Sequence, residues 1–346
     1  MNAKSGRRRV QAVLKRVPMT LFLLLGIILV FSLLTGPAKY LKLSNVMNVI
    51  NQCASGVGIL ALGSFLAICS TGVDLSLGGI ASLSGMLTAK LLSWAPAPIG
   101  PALLLVLAIF VALAAGAVMG SLNGLILSRT NIPSFIITLG VSKICETLSR
   151  VIAGGTTIRV NGHAAFEFIG SGSLLSVQQT TMKGARVITR SIGILPVSVL
   201  IMLALYVLFS LLMRRTPFGT YVYAIGGNYE AAELSGIDTT RTRFRVFLLG
   251  GLLAAVTGII MTSRLTAASA ANGLGMEFDG IAAAVVGGAA MTGGRSTPWR
   301  TFIGALTISV LRNGFSMIEM LPAMQMIAIG LVLIIVVAID AARNRR

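Results

Sequence analysis

Apolar residues in this chain come in long unbroken runs, and polar residues gather in the short stretches between them. A helix that is apolar all round has no aqueous face, and about 20 residues rising about 1.5 Å each match the hydrocarbon thickness of a bilayer. The runs predict spans near 19–36, 46–69, 75–93, 98–127, 133–153, 194–213, 244–264, 278–291, 300–318 and 323–341. The second and fourth exceed the need and are expected to tilt or break. The run near 278–291 is short and built of small residues, as in Ile281-Ala-Ala-Ala-Val-Val-Gly-Gly-Ala-Ala, which let helices approach closely, so it belongs inside the bundle. The pattern therefore predicts an all-α polytopic membrane protein with about ten transmembrane helices, or eight if the shortest segments are re-entrant.

Composition agrees with that solvent, since 55% of the 346 residues are hydrophobic and 11% are charged. The formal charge of +18 does not form a nucleic-acid stripe. It falls in clusters at the ends of apolar runs: Arg7, Arg8, Arg9, Lys15 and Arg16; Arg214 and Arg215; Arg241, Arg243 and Arg245; Arg343, Arg345 and Arg346. Cytoplasmic loops carry the excess of Lys and Arg, so both termini, Arg129, the Arg214–Arg245 loop, Arg295 and Arg300 are expected inside. Lys39, Lys42, Lys183, Arg186 and Arg190 are left outside, the last three in a long loop where charge counts for less. The chain then divides into a basic segment 1–18, one transmembrane domain 19–341 with an outer loop 154–193 and a cytoplasmic loop 214–243, and a basic tail 342–346. The first run lacks a small-residue cleavage pattern and is followed by further spans, so it is expected to remain as a span and not to be removed as a signal peptide.

Two internal echoes link distant segments. Gly72-Val-Asp-Leu-Ser-Leu-Gly-Gly-Ile-Ala-Ser is similar to Gly275-Met-Glu-Phe-Asp-Gly-Ile-Ala-Ala, and Asn123-Gly124 to Asn313-Gly314. Asp74 would open a span from the inner side and Asp279 one from the outer side, as two inverted five-helix halves require; chance similarity among small-residue helices is the competing account.

In the cytoplasmic loop, Asn228 is an N-cap, Glu230 and Glu233 favour the early turns of a short helix, and Gly236 stops it. Ala231 and Ala232 would let such a helix seat closely in a partner's groove; an ordinary capped loop helix accounts for the same pattern.

Catalytic chemistry is not indicated. No lysine follows a glycine, so the chain contains no GxxxxGK[ST] phosphate loop. His163 is the single histidine, which argues against a zinc site or histidine catalysis, and no cofactor or metal is implied. Cys53, Cys69 and Cys145 form no CxxC pair and are expected to be small buried residues. Charge near spans is costly, which singles out Asp74, Glu146, Glu277, Asp279 and Glu319, and Asp74 and Asp279 are each placed to cap the helix that follows. Short polar groups on otherwise apolar helices are where a polar solute could be handled, making Asn51, Gln52, Asp74, Asn123, Thr138, Asp279 and Asn313 path candidates. For each of these an interhelical hydrogen bond is the competing role.

The motifs Thr71-Gly-Val-Asp-Leu-Ser-Leu-Gly-Gly, Asn123-Gly-Leu, Ile132-Pro-Ser-Phe-Ile-Ile-Thr-Leu-Gly, Tyr223-Ala-Ile-Gly-Gly-Asn, Leu234-Ser-Gly-Ile-Asp, Gly275-Met-Glu-Phe-Asp-Gly-Ile-Ala-Ala and Gly287-Gly-Ala-Ala-Met-Thr-Gly-Gly-Arg occur in that order. On these the chain resembles the ribose- and allose-type sugar permeases of bacterial ABC importers over nearly its whole length. Glu230-Ala-Ala with Gly236 matches the front half of the EAA-x3-G coupling signature of import permeases, although no Ile-x-Leu-Pro follows, and Ala289-Ala290-Met291 replaces a more usual hydroxyl-bearing stretch. The resemblance implies a monosaccharide permease of the bacterial inner membrane that works as a homodimer or with a sister permease. It would be driven by ATP-binding cassette subunits through Glu230, Ala231, Ala232 and Gly236, and fed by a periplasmic sugar-binding protein. An ion-coupled secondary transporter is the alternative.

Overall fold

The computed structural model describes residues 19–94, 100–183, 186–294 and 296–344, so the N-terminal basic cluster, Arg295, Arg345 and Arg346 lie outside the described residues. Helices carry the fold: α1 Met19–Thr35, α2 Pro37–Tyr40, α3 Leu43–Ala54, α4 Val57–Cys69, α5 Leu77–Ser93, α6 Pro101–Arg129, α7 Ser134–Ala153, α8 Ala164–Ser171, α9 Val197–Arg215, α10 Pro217–Gly227, α11 Tyr229–Leu234, α12 Thr239–Leu265, α13 Met276–Val286, α14 Pro298–Met317 and α15 Pro322–Asn344. Every apolar run is helical. Among the described residues, four stretches are long and apolar enough to cross a membrane by themselves, namely Leu43–Cys69, Pro101–Arg129, Val197–Arg215 and Thr239–Leu265. The others are shorter or more polar. At about 1.5 Å per residue, the 11-residue α13 covers about half of a hydrocarbon core.

The two overlong runs behave differently. The second breaks between α3 and α4, where Ser55 Oγ turns back to Asn51 O at 2.8 Å and Gly56 takes φ −147°, ψ −106°. The fourth stays continuous as the 29-residue α6. Its buried positions Leu104, Ala108, Ala112, Gly116, Gly120 and Gly124 recur every fourth residue and form a smooth stripe. That stripe packs on α12: a β-carbon at Gly124 would strike the Phe244 backbone, one at Gly120 the Phe247 carbonyl and one at Gly116 the Gly251 carbonyl. Rising numbers on one helix meet falling numbers on the other, so α6 and α12 are antiparallel, and Arg129 lies at the same end as Arg241, Arg243 and Arg245.

Contacts across the middle of the bundle are reciprocal. α4 packs on α13, and α12 packs on α5. Gly250 of α12 approaches Asp74 and Leu77, while Gly56 and Gly280 bring the start of α4 beside the start of α13. Helices α5 and α13 therefore both begin partway along a 27-residue neighbour.

The 154–193 loop is not all irregular. Strands β2 Ser176–Lys183 and β3 Arg186–Gly193 pair antiparallel, and β1 Ile158–Arg159 pairs with β4 Ala267–Ala268. Helix α8 is fixed to α12 by Ser263, whose Oγ donates to Phe166 O and accepts from the Gly170 N–H.

Candidate functional site

The chemistry-bearing residues form three groups. The first surrounds Asp74, in the extended segment between α4 and α5. Asp74 Oδ1 accepts from Ser76 N–H at 2.9 Å and from Ser76 Oγ at 2.6 Å, and Asn123 Nδ2 of α6 donates to Ser76 Oγ at 2.8 Å. The first turns of α7 pin the same segment, because Val73 N–H donates to Ser134 Oγ at 2.8 Å and Leu75 N–H donates to Thr138 Oγ1 at 3.0 Å. Asp74 does not cap the free N–H groups of α5, contrary to expectation. Its side chain is held by the residue that precedes that helix.

The second group surrounds Asp279, which is also not a cap. Gly275, at φ 80°, starts α13, and Asp279 lies inside its first turn, buried, with Arg312 Nη2 of α14 at 2.5 Å from Oδ2. The guanidinium is thus the charge partner of Asp279 through Oδ2, while Asp279 Oδ1 and Arg312 Nε are buried without a hydrogen-bond partner. Next to Arg312, Asn313 forms a reciprocal amide pair with Asn45 of α3, at 3.0 and 3.1 Å. Near the same end of α13, Glu277 Oε2 is buried with no hydrogen-bond partner. Arg312 was the residue that reasoning from acidic positions missed; a cation one position before Asn313 was visible, but its partner lies 33 positions earlier in the sequence, 312 − 279.

Asn51 and Gln52 lie apart from both groups. Asn51 Oδ1 accepts from Ser198 Oγ at 2.5 Å, and Gln52 Nε2 donates to Asn48 Oδ1 at 3.4 Å. Asn51 lines an open cavity of about 280 Å³ together with Ser44, Asn48, Ser171, Ser173 and Pro196. Arg264 borders this region, donating to Ser55 Oγ at 3.1 Å and Asn48 Oδ1 at 3.3 Å. Of the path candidates, Asn51 alone lines this cavity, while Asp74, Asn123, Thr138, Asp279 and Asn313 are buried. Glu319 is exposed at φ 58° in the turn between α14 and α15, and Glu146 is paired with Lys143 and Arg150 on its own helix.

The third group is the loop at the basic end. Asn228 caps α11 by accepting from Ala231 N–H at 2.9 Å, and Gly236, at φ 82°, closes it as Ile237 N–H donates back to Ala232 O at 3.1 Å. Glu230 and Ala231 are exposed and Leu234 is 89% exposed, whereas Ala232 is turned into the chain. The free side of α11 is thus Ala231 with Leu234, and Ala232 instead seats the helix on its own bundle. The preceding α10 was not anticipated as a separate helix; Pro217 in its first turn is the signal that marks it. Tyr223 of α10 donates to Ser296 O at 2.8 Å, and burial, with Cys69 as a lesser influence, pushes its phenol up to about 12. Gly226 of α10 packs on Gly294, whose N–H donates to Cys69 O at 3.2 Å. One continuous set of contacts therefore runs from the loop helices through Gly293-Gly294 to the end of α4, where the Asp74 segment begins.

The family described as branched-chain amino acid transport system / permease component matches residues 45–337. The chain is 34% identical to the ribose import permease protein RbsC of Bacillus subtilis over 93% of this chain and 92% of that one. It is 32% identical to the xylose transport system permease protein XylH of Escherichia coli over 96% and 94% of the two chains, and 31% identical to the ribose import permease protein RbsC of Escherichia coli over 97% of each. No solved structure matches. The chain belongs to this family of multi-pass transport permeases.

Proposed function

We propose that this member of the permease family is the membrane-spanning subunit of an ABC importer and translocates a monosaccharide, a pentose or hexose, across the bacterial inner membrane. The observation that carries this reading is end-to-end similarity to permeases named for ribose and xylose, at 31–34% identity. Both termini face the cytoplasm in this reading, supported by the shared end of Arg129 and the Arg241–Arg245 cluster. The chain performs no bond chemistry; ATP hydrolysis in cassette subunits supplies the energy and a periplasmic binding protein delivers the sugar.

Coupling runs through Glu230, Ala231, Ala232 and Gly236. Leu234 and Ala231 offer an apolar surface on a short capped helix, the kind of element that seats in a hydrophobic groove. Force applied there passes through α10 and Gly293-Gly294 to the Asp74 segment. Of the path candidates, Asn51 and Gln52 belong to the outer entrance, and Asp74, Asn123, Thr138, Asp279 and Asn313 hold helices in register.

Vesicles containing the chain, its cassette ATPase and the binding protein are expected to accumulate D-ribose or D-xylose only with ATP. Uptake by the chain alone under a proton gradient would overturn this reading in favour of an ion-coupled transporter. Leu234→Asp is expected to lower ATP-driven uptake at least about tenfold while the protein still inserts, since one lost apolar anchor is worth about 1.5–3 kcal/mol.

A further inference from the structure

Between α8 and α9 the chain makes an excursion that its own backbone closes off. Ser173 pairs antiparallel with Pro196, Val197 N–H donates to Gly172 O at 3.0 Å, and Leu174 N–H donates to Leu195 O at 3.0 Å. The connection from α8 to α9 is thus complete at Ser173 and Pro196, and the β2–β3 hairpin stands on it as an addition. Among the described residues no third strand joins the hairpin, and its chief neighbour outside its own ladder is α3. Ile192 and Gly193 of β3 line the same cavity as Ser44, Asn48 and Asn51 of α3.

The register sorts the hairpin residues into two unlike faces, because directly paired residues share a face and so do alternate positions along a strand. The pairs Lys183–Arg186 and Gln179–Arg190 lie on the face of Val177–Ile192, the pair that reaches the cavity, whereas Gln178, Thr180 and Met182 belong with their partners to an uncharged opposite face. No Asp or Glu occurs from Ser173 to Pro196, so Lys183, Arg186 and Arg190 give the first face one sign of charge with nothing in the hairpin to offset it. At its foot that face carries Leu175 and Val177, both exposed, and apolar area beside charge is the composition of a protein–protein interface. Lysine on an open strand edge deters edge-to-edge pairing, but that protection does not require the charges to share one face. Orientation does not require them either, since the excess of Lys and Arg that sets it lies on the cytoplasmic side in the reading above. A membrane interface is marked by Trp and Tyr, and no aromatic residue occurs from Ser173 to Pro196. A two-stranded hairpin by itself is marginal in water, so one with strands of eight residues is completed by a partner.

We infer that the Lys183–Arg186–Arg190 face of the β2–β3 hairpin docks an acidic patch on the soluble binding protein and holds that protein over the cavity at the hairpin's foot. Charge of one sign on a projecting element speeds encounter with a partner of the opposite sign and fixes its register. This inference deepens the permease reading above and rests on it.

The full transporter complex is reconstituted in vesicles with and without phosphatidylglycerol, and fluorescently labelled binding protein is titrated onto it. The parent is compared with Lys183→Gln/Arg186→Gln/Arg190→Gln and with a variant in which Asn-Gly replaces residues 175–194 and joins Leu174 to Leu195, a two-residue turn that their pairing accommodates. The charge variant is expected to bind about tenfold more weakly at low salt, with the gap closing at high salt, because exposed complementary charges are screened. The excised variant is expected to lose at least as much; if excision prevents insertion, the charge variant alone decides. Binding by the charge variant equal to that of the parent would overturn the docking surface. A loss that appears only in vesicles with phosphatidylglycerol would also overturn it, in favour of lipid as the occupant. Uptake by the parent complex that requires ATP and binding protein supports the permease reading whatever the hairpin variants do, whereas a parent that does not bind the binding protein would overturn that reading and the docking surface with it.

Discussion

Asp74 and Asp279 belong to the two echoing segments of the chain, yet they are neutralised by different means. Asp74 sits in an uncharged network, taking two bonds from Ser76 while Asn123 holds the Ser76 hydroxyl. Asp279 instead faces a cation, Arg312 of the neighbouring helix, with no uncharged partner at either oxygen. Both arrangements draw on the Asn-Gly end of a long helix: Asn123, before Gly124 on α6, bonds Ser76, and Arg312, beside Asn313-Gly314 on α14, pairs with Asp279 directly. The comparison teaches that two similar segments hold a buried aspartate by different means, Asp74 by a serine that Asn123 steadies and Asp279 by the guanidinium of Arg312.

The largest effect is expected from Arg312→Met. It leaves Asp279 buried without its counter-charge, and breaking a buried pair costs about 3–5 kcal/mol, toward the lower figure because Arg312 is partly open. Thermal unfolding in detergent should show a marked loss that the added Asp279→Asn change largely restores; no restoration would mean that Arg312 acts through packing. Next in size are the glycines beside the two motifs. Gly124→Val meets the backbone of Phe244, whereas Gly314→Val meets the Phe31 ring, which has more freedom to shift. Overpacking costs about 1–3 kcal/mol, and the melting temperature should fall further for Gly124→Val. Equal losses would place the two helix contacts on the same footing.

Asn123→Leu should cost about 1 kcal/mol or less, the usual worth of an interhelical hydrogen bond in a membrane. Its melting shift is predicted to be well below that of Arg312→Met, and a comparable shift would show that the Asp74 network depends on Asn123 as strongly as Asp279 depends on its cation. The smallest change is expected for Ser134→Ala, which removes one acceptor from Val73 N–H. Hydrogen exchange at the Val73 amide, rather than global stability, is the measurement that should register it; unchanged protection would show that the bond does not hold the segment.

Much of this protein was written locally. Runs of apolar residues specify lipid as the solvent, and the cap and stop of α11 were visible because Asn228 and Gly236 act within a few residues of themselves. The β2–β3 hairpin and the separate helix α10 were not anticipated, since hydropathy reports where lipid is and says little about loops; the break in the second run followed from its length, but its place at Ser55-Gly56 did not. Lys143 and Arg150, three before and four after Glu146, are the exception, a carboxylate near a span whose partners are legible in the sequence because they lie on its own helix.

The candidate path residues mark the limit most clearly. Asn313 is bonded to Asn45 across 268 positions, and Asn123 to Ser76 across 47. A polar residue on an apolar helix announces only that it needs a partner. Whether a neighbouring helix supplies one, leaving nothing for a solute, or leaves the group open to water, is decided by which helix faces lie together. The sequence by itself determined the solvent, the helices and their local caps, because these depend on neighbours along the chain. The tertiary structure decided which polar groups are taken up by interhelical bonds and which stay exposed, because burial is a property of packing in space.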